Sequence, residues 1–494
     1  AGGGDVPYGP GPAARRAWRP GDGSGTVTVS GHVAVVGGGL AGITAAVALA
    51  EAGAKVTLLE ARPRLGGATC SFSRDGLIID NGQHVFLRCC TAYRGLLARL
   101  GMTGAAPLQD RFDVTVLSPA GRARLRRTAL PGPLHMGPAL SGYRMLSFSQ
   151  RMRVGLAALA MTRLDPADPA LDGQRLGDWL AAHWQDERTR RVMWDLFTVS
   201  ALNVAGDDAN LGLAATVVKT ALLSTRDAAD IGVPAVPLGD LHGRAAEALC
   251  GKLGARVRHS AKAEAVEVLP GGGFRVRLAD RPAAGANGSG REVTADGVVL
   301  AVPPPIAARL LPPAAGTAPV WRELDTSPIV NVHVIYDRRV TRLPFAAAVD
   351  SAVQWVFDRS GPAGLPEGQY LAISLSAADD YVDVPAGRLK EKFLPALAEL
   401  LPAARDAKVT DFFVTRERRA TLRQEPGCGR LRPAAATALP GLVLAGAWTD
   451  TGWPDTMEGA VRSGLNAVRE LRRGLAAAGG RAQPPARPLA GAQP

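Results

Sequence analysis

Cysteine is scarce in this chain. Cys70, Cys89, Cys90, Cys250 and Cys428 are spread over 494 residues, an odd number with neither metal-ligand spacing nor the pattern of a disulfide framework. A structural metal and a cross-linked scaffold are therefore not expected, a reduced, cytoplasmic setting is, and Cys89-Cys90 reads as packing. Aromatic residues make up only 5%. With no nucleic-acid motif and arginine spread along the chain, that argues against the nucleic-acid partner which a net charge of +12 first suggests. Long apolar runs are missing too. Val33 to Ala50 is uncharged, but three consecutive glycines interrupt it, so no membrane span is expected. Acids are absent between Asp113 and Asp165, where eight arginines occur. There, Arg122-Ala-Arg124-Leu-Arg126-Arg127 precedes two apolar-basic stretches, Tyr143 to Phe148 and Met152 to Met161. The 120–165 region suits peripheral contact with the inner face of the cell membrane. A cap helix with a solvated basic face accounts for it equally well.

No Ser-His-Asp triad, Walker loop or metal cluster is evident, and what stands out is a strand, a glycine turn and a helix. Val33 to Val36 suits a strand buried on both faces, and Gly37-x-Gly39-x-x-Gly42 follows with the spacing of a dinucleotide fingerprint. The first glycine permits the tight turn, the second lets a pyrophosphate approach the backbone, and the third lets helix and strand pack closely. Backbone amides at the helix start, Leu40 and Ala41 among them, then face the phosphates. Lys55 to Leu59 reads as a second buried strand, and Glu60 at its end stands where an acid hydrogen-bonds a ribose hydroxyl.

Glu60-Ala61-Arg62 with Gly66-Gly67 resembles the second motif of FAD-binding amine oxidases and phytoene desaturases. The resemblance implies FAD, with the arginine and the glycine pair beside its diphosphate and ribityl chain. Asp80-Asn81-Gly82-Gln83-His84 is narrower and resembles the hydroxysqualene dehydroxylases, formerly called squalene-associated desaturases. In that group this stretch passes near the flavin ring. His84, and after it Asp80, are the candidates for proton donor; a histidine hydrogen-bonded to backbone is an equal reading of His84. The family also implies adenine contact along Ala265-Val266 and a return to the parallel sheet ending at Ala301. Near the end, Gly446-Ala447-Trp448 through Thr456-Met457-Glu458-Gly459-Ala460 resembles the family's late flavin motif, where a second helix start meets the ring. One departure is clear. The family has an acid where this chain has Ala447, and loss of a charged hydrogen bond costs roughly 1.5–3 kcal/mol. Asp450 is the nearby acid that would compensate.

The expected fold is α/β, a doubly wound FAD-binding domain interleaved with an α+β substrate domain. The FAD-binding parts are 31–110, 241–312 and 431–474; the substrate parts are a helical cap at 111–240 and strands within 313–430. Residues 1–30 and 475–494 read as disordered tails, 281–292 as a surface loop. Trp179, Trp184 and Trp194 are expected to be buried on helix faces. The resemblance implies flavin redox chemistry on a long apolar isoprenoid, the reductive removal of an allylic hydroxyl from hydroxysqualene. The rivals are a phytoene desaturase running hydride the other way, an amine oxidase, and a non-catalytic lipid carrier of the same fold. No motif names an electron donor for the flavin.

Overall fold

The computed structural model describes residues 31–279, 291–316 and 320–479. The expected tail at 1–30, the residues beyond 479 and most of the loop at 281–292 lie outside them. Val33 to Val36 are at most 4% exposed, and their strand, His32–Val36, occupies the centre of a five-stranded parallel sheet. Lys55–Leu59 and then Arg256–Arg258 lie on one side of it; Gly297–Leu300 and then Leu442–Leu444 lie on the other. Such a sheet is covered on both faces, which is why its strands are continuous apolar runs.

Helix Leu40–Glu51 is buried at every position from Leu40 to Leu49. An alanine-rich helix that is apolar all round needs a cover on its outer side as well. The cover is the long helix Met457–Gly479, whose Val461, Leu465, Val468 and Leu471 join the same core. That helix runs past 474, where the folded chain was expected to end. Its start is pinned by Glu458. The buried Glu458 carboxylate accepts the backbone N–H of Ala92 at 3.2 Å and of Tyr93 at 2.8 Å, and receives Arg462 Nε at 2.8 Å. A carboxylate there satisfies the open amides of helix Thr91–Arg99 and complements its dipole.

A second sheet of seven strands runs in the order Val409–Leu422, Thr326–Tyr336, Gln369–Leu375, Trp355–Asp358, Phe345–Ala348, Asp113–Ser118, Gly121–Arg126. All neighbours are antiparallel except Phe345–Ala348 with Asp113–Ser118. The hairpin at 113–126 thus belongs to this sheet, although the sequence pointed to a helical cap there. Arg122 and Arg124 alternate with Ala123 and Leu125, a period of two that puts Leu125 inside and the arginines outside. A small antiparallel sheet, Ala263–Val268, Phe274–Leu278 and Glu292–Ala295, packs beside the parallel one.

Helices between Leu134 and Leu223 form the remaining layer. Trp194 is buried within it and Trp179 is half-buried, stacked on His183 with ring centroids 3.9 Å apart. Trp184 departs from expectation and is 67% exposed. Helix Leu176–Ala182 has already ended, and Trp184 takes a left-handed φ of 58° that swings its side chain outward. The five cysteines are free; a hydrogen bond with Cys89, in which the Cys90 thiol donates, and then burial keep that thiol protonated, in keeping with packing.

Candidate active site

The first glycine turn is a contact between three segments. Gly37 has φ 105°, and a Cβ there would lie 2.2 Å from the Ala301 carbonyl oxygen. A Cβ on Gly42 would lie 1.8 Å from the Gly37 carbonyl oxygen. Strand, helix start and the returning strand therefore abut backbone to backbone. Gly39 caps helix Leu40–Glu51 without a side chain to offer, leaving the first amides, those of Leu40 and Ala41 included, without a side-chain cap among the described residues. Facing Gly39 is Gly67, whose Cβ would fall 2.9 Å from the Gly39 Cα. Two bare turns and a set of open amides make a cradle shaped for an extended anion.

Glu60 is buried, and its two oxygens accept the backbone N–H of Gly38 and of Arg62, each at 2.7 Å. The acid braces the two loops and retains lone pairs for a ribose hydroxyl. Ala61 and Arg62 are exposed, and Arg64 is the arginine that reaches the glycine pair, donating to the Gly67 carbonyl at 3.2 Å.

A cavity of about 340 Å³ extends from this turn to the late one. Leu40 and Gly66 line it from the first segment; Asn81, Gly82, Gln83 and His84 from the next; Ala447, Thr456, Met457 and Ala460 from the last. The seven-stranded sheet floors it through pairs two residues apart on one face: Ile329 with Asn331, Trp355 with Phe357, Ser374 with Ser376. Two polar atoms in residues of the wall are buried without a partner among the described residues, Gln83 Nε2, a donor, and Asn331 Oδ1, an acceptor. Orphaned groups of both kinds suit the donor-and-acceptor edge of a flavin ring.

Several expected contacts fall elsewhere. Trp448 turns into the core, its Nε1 donating to the Val302 carbonyl at 3.0 Å and its ring against Trp321 at 5.0 Å. A Cβ on Gly446 would meet that indole at 2.3 Å, so the turn is bare to admit tryptophan rather than ligand. Gly459 packs under Ala447, its would-be Cβ 3.6 Å from the alanine Cβ. Ala265 and Val266 lie on the small antiparallel sheet and do not line the cavity; Val266 is buried in that sheet's core. Asp450 is exposed and takes the Gly452 N–H, so it does not stand in for the acid missing at Ala447. Asp455 lines the cavity instead.

Asp80 is the clearest correction. It is 5% exposed and lies behind the cavity wall, in a small closed space shared with His84 and Arg359. Its carboxylate accepts Ser71 Oγ at 2.6 Å, Leu238 N–H at 2.9 Å and Arg359 Nη2 at 2.8 Å. A carboxylate occupied by three donors, one of them a buried guanidinium, is not a proton donor to a ligand; it braces the wall behind His84. Replacing Asp80 with Ala strands the Arg359 charge in the interior. A loss of about 3–5 kcal/mol is expected, read as a lowered denaturant midpoint at unchanged slope. An unaltered midpoint would show that the pair is not buried in solution.

His84 lines both spaces, and no described protein group takes its ring nitrogens. Burial lowers its pKa, Asp80 opposes that and Arg359 adds to it. The imidazole is therefore neutral at pH 7, able to hydrogen-bond a ligand but poorly charged as an acid. Asp455 is shifted the other way. Burial raises its pKa, against the Leu422 N–H held at 2.7 Å and the charge of Arg432. Burial thus displaces two titratable groups facing one cavity in opposite directions, each toward its uncharged form. The reading from sequence placed Asp455 in the late motif without assigning it a role; an acid just before a helix start was the signal available.

Comparison with known proteins agrees with this geometry. A family model described as flavin containing amine oxidoreductase matches residues 40–472. The chain is 31% identical over 451 residues to the hydroxysqualene dehydroxylase of Rhodopseudomonas palustris, covering 89% of this chain and 98% of that protein. It is 26% identical over 466 residues to the 15-cis-phytoene desaturase of Narcissus pseudonarcissus, covering 88% and 78% respectively. Cyclohexylamine oxidase from Brevibacterium oxydans shares the fold, with a TM-score of 0.67 at 20% identity over 90% of this chain and 99% of that one. Because the family model matches most of the chain, from the helix after the first glycine turn to the helix after the late one, and residues beside both turns line one cavity, the chain belongs to the flavin-containing amine oxidoreductase family and is a flavin-dependent oxidoreductase.

Proposed function

We propose that the protein binds FAD and reductively removes the allylic hydroxyl of hydroxysqualene, giving squalene. The observation that carries this reading is the shape of the space beyond the glycine turns. The inner cavity shares two wall residues, Ser200 and Trp355, with an outer cavity of about 640 Å³ whose wall is apolar at Leu196, Val199, Val349 and Val353 and charged at Arg191, Asp195 and Asp350. Trp355 Nε1 donates to Ser200 Oγ at 2.7 Å across that boundary, and the Trp355 and Phe357 rings stack 6.2 Å apart. A long hydrocarbon with its reacting end inside and its tail outside suits such a pair of spaces better than a small amine does. The similarity to the Rhodopseudomonas palustris dehydroxylase supports the same choice.

The open amides of Leu40 to Gly42 and the Gly66-Gly67 turn would hold the diphosphate, Glu60 the ribose, and Thr456, Met457 and Ala460 the ring end. Reduced flavin supplies a hydride equivalent. The chain's own part is to protonate the hydroxyl, which leaves as water, and to shield the allylic cation from recapture by solvent. Asp455 is the proton donor in this scheme, and neutral His84 orients the hydroxyl by hydrogen bonding. With Ala447 in place of the family's acid, FAD binds more weakly by roughly 1.5–3 kcal/mol than with that bond made.

The purified protein is expected to be yellow with bound FAD. Chemically reduced under anaerobic conditions, it should convert hydroxysqualene to squalene while reoxidising the flavin, and leave phytoene unchanged. Phytoene desaturation in the presence of an acceptor, without squalene formation, would move the assignment to the desaturases. A colourless protein that still binds the isoprenoid would make it a carrier.

A further inference from the structure

Helix Phe148–Met161 presents apolar side chains on both of its faces. Val154, Ala157 and Met161 pack inward, yet Phe148 is 71% exposed, Met152 54%, Leu156 53% and Leu159 52%. Spacings of four, four and three residues put these four in one outward stripe. The helix is well fixed: Ser147 and Gln150 form a complete capping box at its start. Gln150 also reaches Asp186 at 3.0 Å, close in sequence to the outward Trp184. Arg151 and Arg153 border the stripe and Arg163 closes it. Beside the helix start is an open concavity of about 410 Å³ lined by Arg122, Arg124 and Arg144. Arg124 is paired with Asp113, but among the described residues no acid pairs with Arg122 or Arg144. Asp186 meets Gln150 at the helix start, Asp165 follows the helix in sequence, and the helix itself carries no acid.

We propose that this face docks on an anionic lipid bilayer, with the stripe entering the acyl boundary and Arg122 and Arg144 holding lipid phosphates. No described helix is long and apolar enough to cross a membrane, so the contact is interfacial. The charge argues for lipid over a second copy of the chain, because a two-fold contact through the stripe would set its arginines against their own equivalents. The face also adjoins the outer cavity. Arg188 donates to the Met145 carbonyl at 3.2 Å, just before the helix, and pairs with Asp350 on that cavity's rim at 3.2 Å. The proposal does not depend on which reaction the flavin site performs, since its test reads binding alone.

The test is co-sedimentation of the full flavin-loaded chain with vesicles of phosphatidylcholine, with and without phosphatidylglycerol. The protein should pellet with the anionic vesicles and much less with the neutral ones, and added salt should release it. Phe148→Ser, Met152→Ser, Leu156→Ser and Leu159→Ser combined should weaken vesicle binding about tenfold or more while leaving the flavin spectrum unchanged, since all four side chains are on the surface. Arg122→Ser with Arg144→Ser should remove most of the preference for anionic vesicles. A wild-type chain that stays in the supernatant with both vesicle types, or a fourfold variant that binds as well as wild type, overturns the proposal. So does a wild-type dimer in solution that the fourfold variant returns to a monomer, which would assign the stripe to a second copy.

Discussion

Asp455→Asn is expected to keep its flavin and lose turnover by about two to four orders of magnitude. Asparagine retains an oxygen for the Leu422 N–H that Asp455 now accepts at 2.7 Å, so the loop before helix Met457–Gly479 keeps its anchor. What disappears, on the proposed mechanism, is the proton donated to the leaving hydroxyl. The pH dependence separates this role from a merely structural one. Burial raises the Asp455 pKa above the usual carboxylate range, so the acid form, which is the active one, persists to higher pH and is lost as pH rises through that value. The wild-type rate under saturating substrate should fall on its alkaline side, whereas the residual rate of the asparagine variant should show no such limb. A variant with near-normal turnover would remove Asp455 from the chemistry. One that purifies without flavin would make Asp455 the replacement for the acid absent at Ala447.

The second large effect is expected at Gly42. Adding one methyl group there places carbon 1.8 Å from the Gly37 carbonyl oxygen, and neither partner is the free end of a flexible side chain. Helix Leu40–Glu51 cannot retreat, because its other side is buried against helix Met457–Gly479. Strand His32–Val36 cannot retreat either, being hydrogen-bonded on both sides within the parallel sheet. Gly42→Ala should therefore cost about 3 kcal/mol or more and open the cradle between Gly39 and Gly67. The measurements are the visible flavin spectrum of the purified protein and its denaturant midpoint. Full flavin content at wild-type stability would mean that helix and strand are not in backbone contact in solution.

The outward stripe and the inner cavity share a physical theme, apolar surface placed where water would otherwise be. In the cavity, Trp355 stands at the join with the outer space and Phe357 stacks beside it. On the surface, Phe148 to Leu159 leave apolar area that water meets until something covers it. A substrate dissolved in lipid would then pass between two apolar phases.

Local chemistry made much of the architecture readable from residues alone. Val33 to Val36, the Gly37-Gly39-Gly42 spacing and the alanine-rich run to Ala50 specify strand, turn and helix through short-range sterics. Leu40, Gly66, Asn81 to His84, Ala447, Thr456, Met457 and Ala460 line one cavity because each sits at the end of such a locally encoded element. Direction was not readable in the same way. Trp448 faces the core because Trp321 and the Val302 carbonyl, far away in the chain, are there to receive it. Asp80 is a buried anchor because Arg359 arrives just past strand Trp355–Asp358 of the seven-stranded sheet, and Trp184 is exposed because it takes a left-handed φ just past a helix end. Asp455 faces the cavity while Asp450, five residues earlier in the same motif, faces solvent. Periodicity and turn chemistry act within a few residues, so they settle what each segment becomes. Which side of a turn a side chain leaves from, and which charge meets it, follows from the packing of segments hundreds of residues apart.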